Sequence, residues 1–237
     1  MAVRVAQEWL NSCSGCEISI VDMGERLLDV LSLVEFVHSP VLMDHKYFGQ
    51  LGDGKHLEIP EAVVGLVSGG VRNEEHLEVL EEMRRKCQII IALGTCATHG
   101  GIPALANSYR NEEIMDRYYS TETTDRPEQT PSNGVPELLG SCFALDEKIK
   151  VDVYLPGCPP HPDHVFSALV ALLTGKPLDF PTKSVCDFCP TSREGKGQVK
   201  QLRRFLQSPG YNPDEPIDKM RCILDQGMLC MGAVTRA

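Results

Sequence analysis

Cysteine spacing constrains this chain more than any other feature of its sequence. Eight of its ten cysteines sort into two groups of four, and each group has the spacing expected of an iron–sulfur cluster. A cubane cluster takes four thiolates, one for each iron. The sequence therefore predicts two 4Fe–4S clusters and, since such clusters carry electrons, a role as a conductor inside a redox enzyme. The first group is Cys13, Cys16, Cys96 and Cys158, and the second is Cys186, Cys189, Cys222 and Cys230.

The length, hydrophobic content and net charge of the chain exclude several classes of protein. The chain has 237 residues, of which 42% are hydrophobic, enough for one large domain with a small appendage. A net charge of −10 argues against nucleic acid and anionic membrane surfaces as partners, because both require basic patches. No apolar run is long enough for a membrane span, and the N-terminus has no signal-peptide core, so we expect a cytoplasmic protein. In such a reducing compartment, paired cysteines indicate metal ligands before disulfides.

Strands and helices alternate through the first part of the chain, which predicts an α/β fold with a doubly wound parallel sheet. In such sheets, ligands gather outside the carboxyl ends of the strands. Three predicted strands end just before Cys13, Cys96 and Cys158, so we expect these residues to meet at one edge of the sheet. The strands are predicted at Val3–Leu10, Leu33–His38, Ala62–Val67, Gln88–Leu93 and Val151–Leu155, and the helices at Glu17–Leu31, after Asn73 and at Asp163–Leu173.

The sequence predicts two domains, at residues 1–180 and 181–237. The first would be a flavodoxin-like domain with the first cluster. From Pro181 onward the sequence shows no apolar periodicity of helices or strands. The cysteines of the second group flank a basic, polar stretch, which fits an irregular segment that a metal site would organise. Residues 118–136 are polar and dotted with proline, which predicts a long surface loop that clasps a partner subunit. The glycine-containing stretch Tyr47–Glu58 is a second predicted loop.

Both groups have competing interpretations. The first Cys-x-x-Cys pair is also the pattern of a thioredoxin-like dithiol. The distant Cys96 and Cys158 favour the cluster, because Gly94 and Gly157 beside them allow close backbone approach and N–H donation to sulfur. Structural zinc usually takes two local pairs, whereas this group has one pair and two singles. Zinc remains a competitor for the second group, which lies on a loop-rich segment.

Four further residues have less certain roles. Cys87 begins an apolar run and is predicted to be a small buried residue. Cys142 has no assigned role. Glu17 is either a surface acid of the first helical turn or a proton-relay carboxylate, and His99 is either a hydrogen-bond donor to cluster sulfur or a loop histidine.

Three motifs resemble the proximal-cluster signature of nickel–iron hydrogenase small subunits. They are Cys13–Cys16, Gly94–Ala97 and Pro156–Pro160, while Ser39–Val41 and Glu74–Leu80 resemble the cytoplasmic, viologen-reducing or sulfhydrogenase-like branch. The resemblance runs over nearly the whole chain. It implies a flavodoxin-like domain that holds a proximal 4Fe–4S cluster against the nickel–iron centre of a large subunit, with no catalytic residue on this chain.

The resemblance also implies a route for electrons. Electrons from dihydrogen would pass from the partner's nickel–iron site to the first cluster, then through the second cluster to a further iron–sulfur or flavin subunit. Members with three clusters carry three more cysteines beyond a stretch like Cys230–Ala237, so the sequence as given either holds two clusters or continues. No Gly-x-Gly-x-x-Gly fingerprint is present, and no nucleotide site is predicted.

Three alternatives stay open. The cluster subunit of complex I-type quinone reductases is related, but it carries adjacent cysteines where this chain has Cys13-x-x-Cys16, and it has no second group. A stand-alone ferredoxin-like carrier with a flavodoxin-like domain is the second alternative. A zinc-stabilised assembly module without a redox role is the third.

Overall fold

The computed structural model describes residues 2–43, 47, 57–121, 130–180, 182–193, 203, 212 and 214–234. The chain forms two compact units, Met1–Asp179 and Phe180–Ala237. The predicted loop Tyr47–Glu58 and the middle of the predicted clasp lie largely outside the described residues. Within the described ranges, no helix is both long enough and apolar enough to cross a bilayer.

A five-stranded parallel sheet forms the centre of the first unit. Its strand order is β2-β1-β3-β5-β7, and each neighbouring pair is parallel. If the five strands of this sheet are renumbered 1 to 5 along the chain, their order in the sheet is 2-1-3-4-5, as in flavodoxin-like folds. The predicted fold class is therefore confirmed. The strands are β1 (Val3–Trp9), β2 (Val34–His38), β3 (Ala62–Ser68), β4 (Val71–Asn73), β5 (Cys87–Leu93), β6 (Leu138–Phe143) and β7 (Val153–Leu155).

Helices follow most strands and cover the sheet. Continuous apolar runs such as Ala62–Ser68 are buried along their length, as expected for parallel strands covered on both faces. The α-helices are α1 (Gly15–Val21), α2 (Arg26–Leu33), α3 (Glu74–Lys86), α4 (Gly94–His99), α5 (Asn111–Tyr119), α6 (Pro162–Thr174) and α7 (Val185–Phe188), and 3₁₀ helices occur at Pro103–Ser108, Leu145–Glu147 and Met231–Val234.

The prediction of a single helix at Glu17–Leu31 is wrong. The chain forms α1 and α2 instead, with a turn between them in which Gly24 has a φ of +62°. Glycine adopts this left-handed conformation without steric cost, so it ends the first helix and allows the second to begin. The apolar residues Val21, Leu28 and Leu31, which a continuous helix would place on one face, are all exposed.

Helix α3 begins as its sequence predicts. The Asn73 side chain accepts a hydrogen bond from the backbone N–H of His76 at 2.8 Å, which caps the helix. Acidic residues occupy the first turn and basic residues the last, the order that the helix dipole favours. The buried face of α3, with Leu80 and Met83 fully enclosed, belongs to the main core of the unit.

Two regions outside the parallel sheet are also ordered. At residues 69–70, Asn11 and Gly70 exchange backbone hydrogen bonds at 3.1 Å in both directions. The region 101–150 contains a 3₁₀ helix, α5 and β6, which pairs antiparallel with β4. The Asn107 amide fixes this region by bonding the backbone N–H and C=O of Cys142 at 2.7 and 2.9 Å.

Candidate metal centre

The first cysteine group lies at the carboxyl edge of the parallel sheet. Cys13 and Cys16 follow β1, the second of them in the first turn of α1. Cys96 lies in α4, which starts directly after β5, and Cys158 follows β7. Because β1, β5 and β7 run parallel in one sheet, three distant parts of the sequence arrive at the same edge.

Hydrogen bonds join the loops that carry these cysteines. The backbone N–H of Thr95 donates to Gly157 O at 2.8 Å, and Gly157 N–H donates back to Thr95 Oγ1 at 3.1 Å. The Ser19 hydroxyl, on α1, donates to Pro160 O at 2.5 Å. The segments around Cys96 and Cys158 are therefore fixed to each other, and α1 is fixed to the second of them.

Two glycines leave room for cysteine sulfur. Gly94 has a φ of +84°, and a Cβ atom at this position would overlap Cys16 Sγ. A Cβ atom at Gly101, where φ is +53°, would lie 2.9 Å from Cys96 Sγ. Any larger residue would push against a sulfur at either position, so the backbone forms a cradle fitted to these side chains.

The four thiols lie within electrostatic reach of one another. Burial raises the pKa of Cys16 far above its ordinary value, and the negative charges of Glu17 and of the thiolates at Cys96, Cys13 and Cys158 raise it further. Burial likewise raises the pKa of Cys96 to about 11, while a backbone hydrogen bond from Ile102 opposes the rise. The raised pKa values favour the protonated form of Cys16 and Cys96 unless a positive group such as iron displaces the protons.

The second cysteine group lies entirely within the second unit. Cys186 is in α7 and Cys189 ends it, with its N–H donating to Cys186 O at 3.4 Å. A Cβ atom on Gly232 would be 3.5 Å from Cys230 Sγ and 3.6 Å from Cys186 Sγ, so these two sulfurs flank one glycine. Cys222 N–H donates at 2.8 Å to the carbonyl of Ser192, which lies three residues after Cys189.

Cys189 has the chemistry of a metal-binding thiol. Its Sγ lies 3.1 Å from Thr191 Oγ1, and it is exposed. The hydrogen bonds from Thr191 lower the pKa of the Cys189 thiol, and the nearby Arg193 guanidinium lowers it further. A lower pKa favours the thiolate, which is the form that binds metal.

Glu17 is not a surface acid, so that interpretation is wrong. The side chain is 1% exposed, and its Oε1 accepts hydrogen bonds from Gln7 Nε2 at 3.1 Å and from the Ser68 hydroxyl at 2.5 Å. Burial raises the pKa of Glu17 above its ordinary value. Its other carboxylate oxygen, Oε2, is buried with no hydrogen-bond partner among the described residues. The relay interpretation stays a prediction.

A second buried polar group escaped the sequence analysis. Glu8 accepts a hydrogen bond from the Tyr47 hydroxyl at 2.9 Å and pairs with His38 Nε2 at 2.7 Å. The neighbouring Ser39 hydroxyl donates to Gln7 Oε1 at 2.7 Å. The sequence does hold a sign of this group: the polar residues Gln7 and Glu8 are consecutive inside the apolar strand β1, and His38 ends β2.

The remaining residues with uncertain roles are also placed. His99 is exposed, and its Nδ1 is 2.7 Å from Thr98 Oγ1. Cys87 is 3% exposed, which confirms the predicted small buried residue. Cys142 is also buried, and it is close enough to raise the pKa of Cys96.

Known proteins resemble this chain over most of its length. Residues 13–172 match the family described as NADH ubiquinone oxidoreductase, 20 Kd subunit. The chain is also 40% identical, over 238 residues, to a subunit of the F420-non-reducing hydrogenase of Methanocaldococcus jannaschii, covering 100% of this chain and 76% of the relative. The chain belongs to this family of hydrogenase subunits. The family predicted from the three motifs is thereby confirmed.

Two further relatives describe the family more closely. This hydrogenase subunit is 37% identical, over 263 residues, to the iron-sulfur subunit of the F420-non-reducing hydrogenase of Archaeoglobus profundus, covering 100% of this chain and 77% of the relative. A chain in the crystal structure of an NAD+-reducing [NiFe]-hydrogenase in the H2-reduced state is 34% identical. It matches with a TM-score of 0.69 over 77% of this chain and 97% of its own length.

The residues of the hydrogenase subunit fit the iron–sulfur cluster that its family implies. The donors are thiols, the soft ligands that iron–sulfur clusters take, and the glycine cradle leaves their sulfurs unobstructed. Across the described ranges, no three His, Cys, Asp or Glu side chains form a site for a single metal ion.

Proposed function

We propose that this hydrogenase subunit carries electrons between a nickel–iron site on a partner large subunit and a further redox subunit, through two 4Fe–4S clusters. One observation carries the proposal. Four thiols from three separate segments meet at the carboxyl edge of a flavodoxin-like sheet, in a chain that is 40% identical to a hydrogenase subunit over all of this chain and 76% of that subunit. Dihydrogen would be split on the partner, because the nickel ligands implied for this family lie there.

Each cysteine group supplies the thiolates for one cluster. Cys13, Cys16, Cys96 and Cys158 would hold the first cluster, and Cys186, Cys189, Cys222 and Cys230 the second. When bound, such clusters accept and donate one electron at a time. The protein positions the thiolates, excludes water from the buried side of the first group, and offers backbone N–H groups such as that of Ile102 to sulfur.

The surface around the first group supports a partner at this site. Cys13 and Cys158 are exposed, whereas Cys16 and Cys96 are buried. Large apolar side chains are exposed on the same elements, which is unusual for a surface that faces water alone. They are Trp9 at 42%, Ile18 at 54% and Val21 at 44% near the first pair, and Ile102 at 51% and Leu105 at 40% after α4. We propose that the large subunit covers this surface.

Metal analysis of the purified complex tests the proposal. Coexpressed with the large subunit alone, the chain should copurify with nickel, and it should add about eight irons and eight acid-labile sulfides to the iron of the nickel–iron site. Cys158→Ser should lose about four of these irons and the dihydrogen-dependent reduction of methyl viologen. Cys142→Ser, at a buried thiol outside both groups, is the matched control and should keep both.

The alternatives give different results in the same experiment. Zinc without sulfide would support a zinc-stabilised assembly module. Iron and sulfide in a stable monomer, with no nickel partner, would support a stand-alone carrier. We also propose a cytoplasmic location, supported by ten cysteines of which none is in a disulfide, the state expected in a reducing compartment.

A further inference from the structure

Exposed apolar side chains lie beside the cysteines of the second group. Burial of large apolar side chains stabilises a folded chain, so a cluster of exposed ones marks a surface that a partner covers. Each of the three segments that carry the cysteines of the second group has at least one exposed, large apolar side chain. The side chains are Val185 at 42% and Phe188 at 64% exposure on α7, Leu224 at 42% two residues after Cys222, and Leu229 at 48% just before Cys230.

Basic side chains border these apolar residues. The Lys183 ammonium lies 5.2 Å from the centroid of the Phe188 ring, a cation–π contact at the surface. Arg193 is exposed and donates to Cys186 O at 2.9 Å. Arg221, directly before Cys222, is also exposed. We call these three basic residues and the four apolar ones the exit face.

Two acids lie on the segments of the exit face, Asp187 within α7 and Asp225 directly after Leu224. The Asp187 carboxylate accepts hydrogen bonds from the backbone N–H and the hydroxyl of Ser184 at 2.7 and 3.0 Å, so it is occupied in capping α7. The net charge of the whole second unit also favours an acidic partner. Residues 180–237 contain nine Lys and Arg against six Asp and Glu, a net charge of +3 in a chain whose total is −10. The remaining residues therefore carry −13.

We propose that the exit face docks an electron-transfer protein whose own redox group is surrounded by acidic residues around an apolar centre. The inference rests on the proposed function, because electrons must leave through the second cluster for this face to receive an acceptor. Charge complementarity selects the partner: a basic rim attracts an acidic protein and repels a basic one. Nucleic acid fits less well, since the four apolar side chains would gain nothing from phosphate and the chain as a whole is acidic.

The two kinds of side chain would act at different stages. The basic rim steers the acidic partner during diffusion and raises the association rate, an effect that salt screens. The apolar centre excludes water once the surfaces meet and supplies most of the affinity. Phe188 is the most exposed of the apolar residues and lies between Cys186 and Cys189 in the sequence, so it would lie close to the point of electron transfer.

Dihydrogen-dependent reduction of three acceptors by the complex of this chain with its large subunit alone, which leaves the exit face uncovered, tests the proposal. The probes are an acidic [2Fe–2S] ferredoxin, the basic protein cytochrome c, and methyl viologen, which is small enough to need no docking surface. Each dihydrogen gives two protons and two electrons, so two ferredoxins are reduced per dihydrogen. The wild-type complex should reduce ferredoxin faster than cytochrome c. The ferredoxin rate should fall as salt is raised from about 50 to about 300 mM, which shortens the Debye length by roughly half.

Charge reversal on the exit face should act on the ferredoxin alone. The double variant Lys183→Glu and Arg221→Glu should lower the rate of ferredoxin reduction about tenfold at low salt, with viologen reduction and iron content unchanged. Lys176→Glu, at an exposed lysine of the first unit, makes a similar charge change and should leave the ferredoxin rate unaltered. Phe188→Ser should weaken ferredoxin binding while keeping its salt dependence.

Several results would overturn the proposal. They are an unchanged ferredoxin rate in the double variant, a wild-type rate that ignores salt, equal use of cytochrome c, or a viologen rate that falls together with the ferredoxin rate. A wild-type complex without iron or dihydrogen-dependent dye reduction would instead refute the proposed function. The two failures are therefore distinguishable.

Discussion

Replacing Gly94 by alanine should remove the first cluster while leaving the fold largely intact. Gly94 begins α4 with a φ of +84°, and a Cβ atom there would overlap Cys16 Sγ. The overlap is with a proposed ligand atom, and Cys16 is buried, so the sulfur has little room to move. The substitution thus changes the position of a ligand without changing any ligand.

The expected cost has two parts. An alanine in the left-handed region costs about 1–2 kcal/mol, and overpacking of a buried site adds about 1–3 kcal/mol. Gly175→Ala is the matched control, because Gly175 has a φ of +66° and no atom within 4 Å of the added Cβ. It should show the conformational cost alone. A domain stable by about 5–15 kcal/mol survives either change.

Iron content, the visible absorbance of the complex and its unfolding temperature measure the two effects separately. Gly94→Ala should lose about four irons, those of the first cluster, and most dihydrogen-dependent viologen reduction, with a normal far-ultraviolet circular dichroism spectrum. Gly175→Ala should keep all of its iron and unfold a few degrees lower. Full iron occupancy in Gly94→Ala, or equal iron loss in both variants, would refute the cradle argument.

Three other predictions concern stability. Asn73→Ala removes the cap on the His76 N–H and should destabilise the chain by about 1 kcal/mol in urea unfolding. Burial raises the pKa of Asp152, but hydrogen bonds from Ile90 N–H and Arg84 outweigh this and leave it below its ordinary value. The ionised Asp152 stabilises the folded chain above the unfolded pKa, and this stabilisation is lost as pH falls through the folded pKa. Asp152→Asn should therefore make the free energy of unfolding depend less on pH below about pH 4, as measured by urea unfolding at several pH values. Iron removal should raise hydrogen exchange in the second unit more than in the sheet.

The sheet was predictable because its strands are continuous apolar runs separated by helical segments. Ala62–Ser68 and Cys87–Leu93 match their predictions within a residue or two, since burial on both faces leaves little place for polar residues. The break between α1 and α2 was not predictable in this way. One glycine inside a helical pattern is usually tolerated, and only the conformation of Gly24 shows that the helix stops there.

The place of the first cysteine group at one edge of the sheet was predictable from the sequence. Cysteine is rare, and its place after successive strands indicated a common edge without any structural information. The surroundings of Glu17 were not predictable, because its partners Gln7 and Ser68 come from β1 and β3 and meet it only in the folded unit. The short strand β4 was hidden for a similar reason, since its partner β6 lies far along the chain.

The two cysteine groups differ in how their members reach each other. In the first unit, the loops that follow β1, β5 and β7 become neighbours only after the parallel sheet has formed, so long stretches of chain must be closed beforehand. In the second unit, all four cysteines come from one short terminal stretch. If each group holds a cluster, as proposed, the first unit would fold before its cluster is inserted, whereas the terminal unit would fold as iron is delivered to it.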